Sequence, residues 1–295
     1  MRRGDFLSHV GWTGAGIAFA LDAQGLFSPV AADAATGFSF VQISDSHIGF
    51  KLPANPDVTG TLQNAVARIN ALPVQPAFVV HTGDITHLSK VAEFDDAKQI
   101  LSTLRAPVLT IPGEHDAIGA EGLVRYKAAF GRPQTPDLWY SWDHAGTHFV
   151  ALVNVFNFET MGLLGQTQID WLAKDLEPVK SDTPVVVFGH VPLYALYEPW
   201  GWTTEDGSKV LAMLRRFDAV TVLNGHIHQI IEHTDGKIRF RTAASTAFPQ
   251  PAPGTAPAPG PMKDLPAGQL LSRLGYRTIA VDAAGKTQLT DTMLG

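Results

Sequence analysis

Short apolar runs in this chain end repeatedly in loops that carry carboxylates and imidazoles, and that recurrence restricts the fold more than any other feature. In order, the loops read Asp45-Ser46-His47, Gly83-Asp84, Gly113-Glu114-His115-Asp116, Gly189-His190 and Gly225-His226-Ile227-His228. One Asp or His past a strand is an ordinary loop residue or a helix N-cap. Five such loops in succession call for a fold that gathers many strand ends into one place. Carboxylates mixed with imidazoles are also the donor set that suits Mn, Fe and Zn ions. The chain has no cysteine, so thiolate ligation and disulfides are excluded and any metal must use O and N donors.

The segments between the loops alternate in kind. Phe38–Ile43 reads as a buried strand, Val58–Leu72 has helical spacing through Leu62, Val66 and Ile69, Ala77–His81 is a strand, Glu93–Leu104 a helix and Pro107–Ile111 a strand. This β-α-β-α-β opening predicts parallel strands with crossover helices. Such sheets bind ligands beyond the carboxyl ends of their strands, which is where the loops fall. Trp139–Asp143 and Thr147–Asn154 then read as strands joined at Ala145-Gly146, and Gln166–Leu176 as a helix. Pro184–Phe188 and Ala219–Leu223 are strands running toward His190 and His226. Ile238–Thr242, Tyr276–Asp282 and Lys286–Thr290 are expected as antiparallel finishing strands with a turn at Ala284-Gly285. Residues 249–261, PQPAPGTAPAPGP, exclude helix and central strand. They form either a plain surface loop or a wall beside the centre formed by His226 and His228.

The ordered loops resemble the calcineurin-like metallophosphoesterase family, whose pattern is D-x-H, G-D, G-N-H-D/E, G-H and G-H-x-H. Two flanking matches agree: His190-Val191-Pro192, and Gly165 through Gln168 to Trp171-Leu172, which resembles the family's G-x-x-Q-x-x-W-L helix. The organisation looks nearest to the bacterial cyclic-nucleotide-phosphodiesterase-like and purple-acid-phosphatase-like branches. The resemblance implies an α/β fold, a four-layer αββα sandwich of two mixed β-sheets flanked by helices. It also implies a dinuclear metal centre (Mn, Fe or Zn) in which Asp84 bridges. Asp45, His47 and His228 would complete one site, and His190, His226 and Glu114 the other. The implied activity is a metal-dependent phosphoesterase, a hydrolase acting on a small phosphate ester, phosphodiesters before monoesters. A metal-bridging hydroxide would attack phosphorus, and His115 would protonate the leaving alkoxide, a task suited to a near-neutral imidazole. Asp116 is expected to steady its loop.

Two positions depart from the family. Glu114 stands where the family has Asn, which adds a negative charge and favours a harder or more highly charged ion at the second site. His87 stands three residues after the bridging Asp84, where relatives carry an Asp that orients the catalytic histidine, or a Tyr ligand; it is a possible additional ligand. Both departures also suit an alternative, a metal-binding protein on the same fold with weak or no turnover; a phosphomonoesterase is a further one. Tyr194, Tyr197, Trp200 and Trp202 follow His190 in a loop, either stacking on a nucleobase or aryl group or packing the loop onto the domain. His81, His144, His148 and His233 read as structural or surface residues.

A formal net charge of −6 and the lack of basic clusters argue against a nucleic-acid platform. Residues 1–34 read as an export signal: Arg2-Arg3 opens the chain, no Asp, Glu, Lys or Arg lies between Phe6 and Leu21, and Ala32-Asp33-Ala34 offers a cleavage site. The pattern is twin-arginine-like, so twin-arginine or Sec machinery is the expected transient partner and the periplasm or exterior the destination. Residues 35–295 are then one domain, without a transmembrane anchor.

Overall fold

Strand alternation assigns every layer of the molecule. In the computed structural model, residues 37–132, 137–156 and 162–295 are described with their side chains, and 15–21 and 27–33 by backbone alone. The latter are β1 (Ala15–Leu21) and β2 (Phe27–Asp33), an antiparallel pair. Otherwise the expected export segment lies outside the described residues. The chain continues through β3 (Phe38–Ile43), α1 (Val58–Asn70), β4 (Val79–His81), α2 (Val91–Leu101), β5 (Val108–Thr110) and α3 (Gly122–Phe130). Next come β6 (Tyr140–His144), β7 (Thr147–Ala151), α4 (Gln166–Leu176), β8 (Val185–Gly189), α5 (Gly207–Leu214) and β9 (Val220–Asn224). β10 (Glu232–Asp235), β11 (Ile238–Thr242), β12 (Gly275–Val281) and β13 (Thr287–Met293) finish it.

One sheet has the order β13-β12-β3-β4-β5 and the other β10-β11-β9-β8-β7-β6. Within them β3, β4 and β5 run parallel, as do β7, β8, β9 and β11. Successive strand residues point to opposite faces. Thus Val185 and Val187 join Val210 and Leu214 of α5 and Leu172 of α4, whereas Val186 and Phe188 meet Phe40, Val80 and Ile279 between the sheets. On the other side Val41, Ile43 and Val79 pack with Leu62 and Ile69 of α1 and Phe94 of α2. The layers are therefore helix, sheet, sheet, helix, as expected. Each buried Val, Leu or Phe side chain contributes roughly 1.5–3 kcal/mol to holding them together.

Local chemistry explains the boundaries. Asp57 caps α1 by accepting the Gly60 amide at 2.8 Å, which satisfies one donor that the first turn leaves open. Ala145 and Gly146 both have positive φ, 47° and 80°, the conformation a two-residue hairpin loop demands. One expectation is corrected: β11 is antiparallel to β10 but parallel to β9. The intervening β10 went unread because Glu232–Asp235 is polar and largely exposed, with no apolar alternation to mark an edge strand. α3 and α5, also unread, are short helices, of nine and eight residues.

Candidate metal centre

All seven expected ligands lie just beyond the carboxyl ends of β3, β4, β5, β8 and β9, so both sheets deliver their loops to one end of the sandwich. The local backbone makes convergence possible. Asp45, His47, Asp84, His226 and His228 have φ of 53°, 42°, 53°, 67° and 56°, a left-handed region that costs non-glycine residues of order 1–3 kcal/mol each. These reversals turn Asp45 and His47 toward the centre while Ser46 faces away, donating to the Ile85 carbonyl at 2.9 Å. Ile227, between His226 and His228, is likewise buried against Trp200 and Trp202. Glycine is required twice beside the centre: a Cβ on Gly83 (φ 97°) would strike the His190 ring, and one on Gly113 would strike the Asp84 carboxylate.

Two buried groups result, each with its ligand atoms within 4.8 Å of one another: Asp45, His47, Asp84 and His228, and Glu114, His190 and His226. Asp84 stands between them, with Oδ2 3.5 Å from Nε2 of both His47 and His190. Glu114 reaches into the second group, Oε2 lying 2.7 Å from His190 Nε2 and Oε1 2.7 Å from His226 Nδ1. Asp45 Oδ1 lies 3.4 Å from His228 Nε2 and accepts the His226 amide at 3.0 Å.

The polar atoms fit cations. Asp45 Oδ2, Glu114 Oε2, His190 Nε2 and both ring nitrogens of His226 are buried without a hydrogen-bond partner, which is costly unless something charged completes them. His190 donates from Nδ1 to the Thr82 carbonyl at 2.7 Å, and His228 from Nδ1 to the Phe248 carbonyl at 2.6 Å. Each bond leaves an Nε2 lone pair facing the centre, the usual support of a metal-binding imidazole.

Electrostatics agree. Burial opposes ionisation of Glu114, but the His226 and His190 imidazoles outweigh it and hold the carboxyl well below its usual range. For Asp45 burial is likewise overcome, chiefly by His228. Burial, reinforced by His115, His228 and His87, pushes His47 well below its ordinary value, so it is neutral as a ligand must be. His190 is raised well above, because Asp84 and Glu114 overcome its burial. The carboxylate field that draws a proton there would draw a cation too.

His115 borders both groups. Its amide donates to Asp84 Oδ1 at 2.8 Å and its Nδ1 to the His87 carbonyl at 2.7 Å. Burial lowers its pKa, but Asp84 and Glu114 more than compensate and the net shift is upward. Asp116 ties the loop down: Oδ2 accepts the amides of Ile85 and Gly113 at 3.0 Å, and Oδ1 accepts the Thr86 amide at 2.8 Å and its hydroxyl at 2.9 Å. Burial and the Asp84 charge push Asp116 up to about 7 against those bonds. His87 is outside those two groups but shares another with His47 and His115, whose ring nitrogens also lie within 4.8 Å of one another. Its ring lies behind His47, Nδ1 to Nδ1 3.3 Å, and stacks on His115 at 4.8 Å and 15°. Burial and His115 push it down to about 4.

The aromatic loop packs. Trp202 is 1% exposed and, with Trp200, braces Ile227, while Tyr197 lies edge-on to Trp200. Tyr194 instead stacks on His233 at 4.6 Å and lies tilted against Phe240 at 4.7 Å. Phe248 packs its ring on two of the expected ligands, 4.8 Å from His47 and 4.7 Å from His228; no local motif marks it. The proline-rich segment beyond it is fastened to the same loop by Gln250, which donates to the His226 carbonyl at 3.0 Å, and by Gln229, which donates to the Gln250 carbonyl at 2.7 Å.

Comparison with known proteins bears on this geometry. Residues 38–230 match the family described as calcineurin-like phosphoesterase. The chain is 31% identical over 206 residues to the glycerophosphodiester phosphodiesterase GpdQ of Enterobacter lignolyticus, covering 64% of this chain and 70% of that one. It is 22% identical to a 3',5'-cyclic-nucleotide phosphodiesterase of Nostoc over 71% of this chain and 79% of the other. A purple acid phosphatase from yellow lupin shares the fold at a TM-score of 0.64 and 14% identity, over 88% of this chain and 52% of its own. A dimetal phosphatase of Danio rerio does so at 0.59 and 16%, over 88% of this chain and all of its own. The chain belongs to the calcineurin-like phosphoesterase family.

Proposed function

We propose that this chain hydrolyses small phosphodiesters at a two-cation centre, with Asp45, His47, Asp84 and His228 holding one ion and Asp84, Glu114, His190 and His226 the other. The observation that carries the reading is the place of Asp84, equidistant from His47 and His190 between two buried, hydrogen-bond-starved ligand groups. When bound, paired divalent cations supply Lewis-acid charge and lower the pKa of water toward neutrality. Mn, Fe and Zn all suit the donors, and the extra carboxylate of Glu114 favours the harder or more highly charged of them.

The chain's own residues orient and move the proton. The His87 carbonyl holds hydrogen on Nδ1 of His115, so a proton for the leaving alkoxide would come from Nε2. The carboxylates of Asp84 and Glu114 favour the protonated imidazole that this donation needs. Asp116 keeps the loop fixed while His115 exchanges its proton. The names of the relatives, a glycerophosphodiester phosphodiesterase and a cyclic-nucleotide phosphodiesterase, support diesters over monoesters. Export by the twin-arginine or Sec route belongs to the same proposal, on the strength of Arg2-Arg3 and the charge-free run that follows. Among the described residues no helix is long and apolar enough to cross a membrane.

The test is hydrolysis of bis(p-nitrophenyl) phosphate by metal-free chain titrated with Mn²⁺, with Asp84→Asn as control. Metal-dependent turnover that the control loses supports the proposal. No turnover with Mn, Fe or Zn would leave a metal-binding protein.

A further inference from the structure

We infer that the His87 ring is a positioning residue that selects the metal-binding tautomer of His47, an inference that rests on His47 holding a cation. Three imidazoles stand in a row: His87 Nδ1 is 3.3 Å from His47 Nδ1, and His47 Nε2 is 3.1 Å from His228 Nε2. The far end of the row is fixed, because the Phe248 carbonyl at 2.6 Å keeps a hydrogen on Nδ1 of His228 and leaves its Nε2 as a lone pair.

His47 has two tautomers available. With hydrogen on Nε2 it donates to His228 and cannot ligate at the Asp45 group through that atom. With hydrogen on Nδ1 its Nε2 lone pair joins those of His228 and the carboxylates of Asp45 and Asp84. The Nδ1 hydrogen then needs an acceptor, and the structure places His87 Nδ1 there. His87 must in turn carry its own hydrogen on Nε2. Metal-binding histidines generally rest on a carboxylate, carbonyl or water through the second nitrogen; here that support is a neutral imidazole.

The role belongs to the ring, because the hydrogen bond that His87 makes to His115 is through its backbone. Its carbonyl accepts the His115 Nδ1 hydrogen whatever the side chain. Two substitutions therefore separate accepting from packing. His87→Phe keeps an aromatic ring beside His115 but accepts nothing. His87→Asn places an amide oxygen near the present Nδ1.

The experiment uses Zn²⁺ as a diamagnetic probe, with affinity measured by chelator competition and imidazole tautomers by ¹⁵N NMR on the full chain. The Zn²⁺-loaded wild type should show His47 protonated at Nδ1. His87→Phe should weaken binding at the Asp45 group on the order of 10–100-fold without lowering the Tm of the metal-free protein, and His87→Asn should restore most of it. Equal Zn²⁺ affinity in His87→Phe, or Nδ1 of His47 without a proton in the loaded wild type, would overturn the inference. If His87→Phe does not fold, the wild-type tautomer decides. Diester turnover by wild type tests the proposed function separately.

Discussion

His190 Nε2 lies 2.7 Å from Glu114 Oε2, yet no hydrogen bond joins them. In the neutral His190 ring the hydrogen is committed to the Thr82 carbonyl through Nδ1, so lone pairs would face each other across the gap. Only a second proton or a cation relieves that apposition. Replacing Glu114 by Asn, the residue of the family pattern, is expected to change the second ion's affinity by about tenfold or more, about 1.4 kcal/mol, and to shift preference from iron toward Mn²⁺. Calorimetric titration of the metal-free variant measures both. Unchanged metal content and activity would place Glu114 outside the ligand shell.

Asp116 accepts four hydrogen bonds from three residues, Ile85 and Thr86 of the neighbouring loop and Gly113 of its own. Truncation leaves buried donors unsatisfied, at about 1–3 kcal/mol for each group. Asp116→Ala should therefore lower stability by at least ~2 kcal/mol and lower kcat with it, because His115 is carried by the same turn. Thermal melts and turnover on the same preparation check this; an unaltered Tm would contradict it.

Trp202 and Tyr194 come from one sequence cluster but should behave differently. Trp202 is buried against the H-x-H loop, and its removal should cost about 3–5 kcal/mol and weaken metal binding through His226 and His228. Tyr194→Ala should leave metal affinity unchanged, since its ring packs against His233 and Phe240. Loss of metal affinity in the tyrosine variant would show that it supports the centre after all.

The contrast shows what a single sequence displays. The seven expected ligands came together because each follows an apolar strand, a signal that survives in one dimension. Strand Phe38–Ile43, helix Gln166–Leu176 and strand Ile238–Thr242 have the ends expected of them, since apolar periodicity defines them. The direction of β11 is not legible in the sequence, because β9, to which it is parallel, lies across an intervening hairpin strand, β10, that is polar. Phe248 and the contact between His87 and His47 were invisible for another reason: a contact across loops leaves no periodic trace. For Trp202 the structure takes the packing alternative; the sequence left both open because Pro192 and Pro199 mark a loop, and nothing in a loop's composition tells which side faces the core.

His148 offers a pH prediction away from the centre. It donates from Nδ1 to Asp143 at 2.8 Å and from Nε2 to Asp175 of α4 at 3.0 Å, while Ser141 holds Asp175 in place at 2.5 Å. Burial lowers its pKa, but the two carboxylates win and raise it to about 9. A raised folded-state value means stabilisation that is full below the unfolded value near 6.5 and lost as pH climbs to about 9. His148→Gln should flatten that decline and cost about 1–3 kcal/mol at pH 6. Melts across pH 6 to 10 test it, and identical pH profiles for variant and wild type would refute it.

The most direct test of the centre is an anomalous difference map from crystals soaked in Mn²⁺. Two peaks are expected, roughly 3.5–4 Å apart, one within Asp45, His47, Asp84 and His228 and one within Glu114, His190 and His226, with Asp84 touching both. A single peak, or one centred on His47, His87 and His115, would contradict the two-cation account.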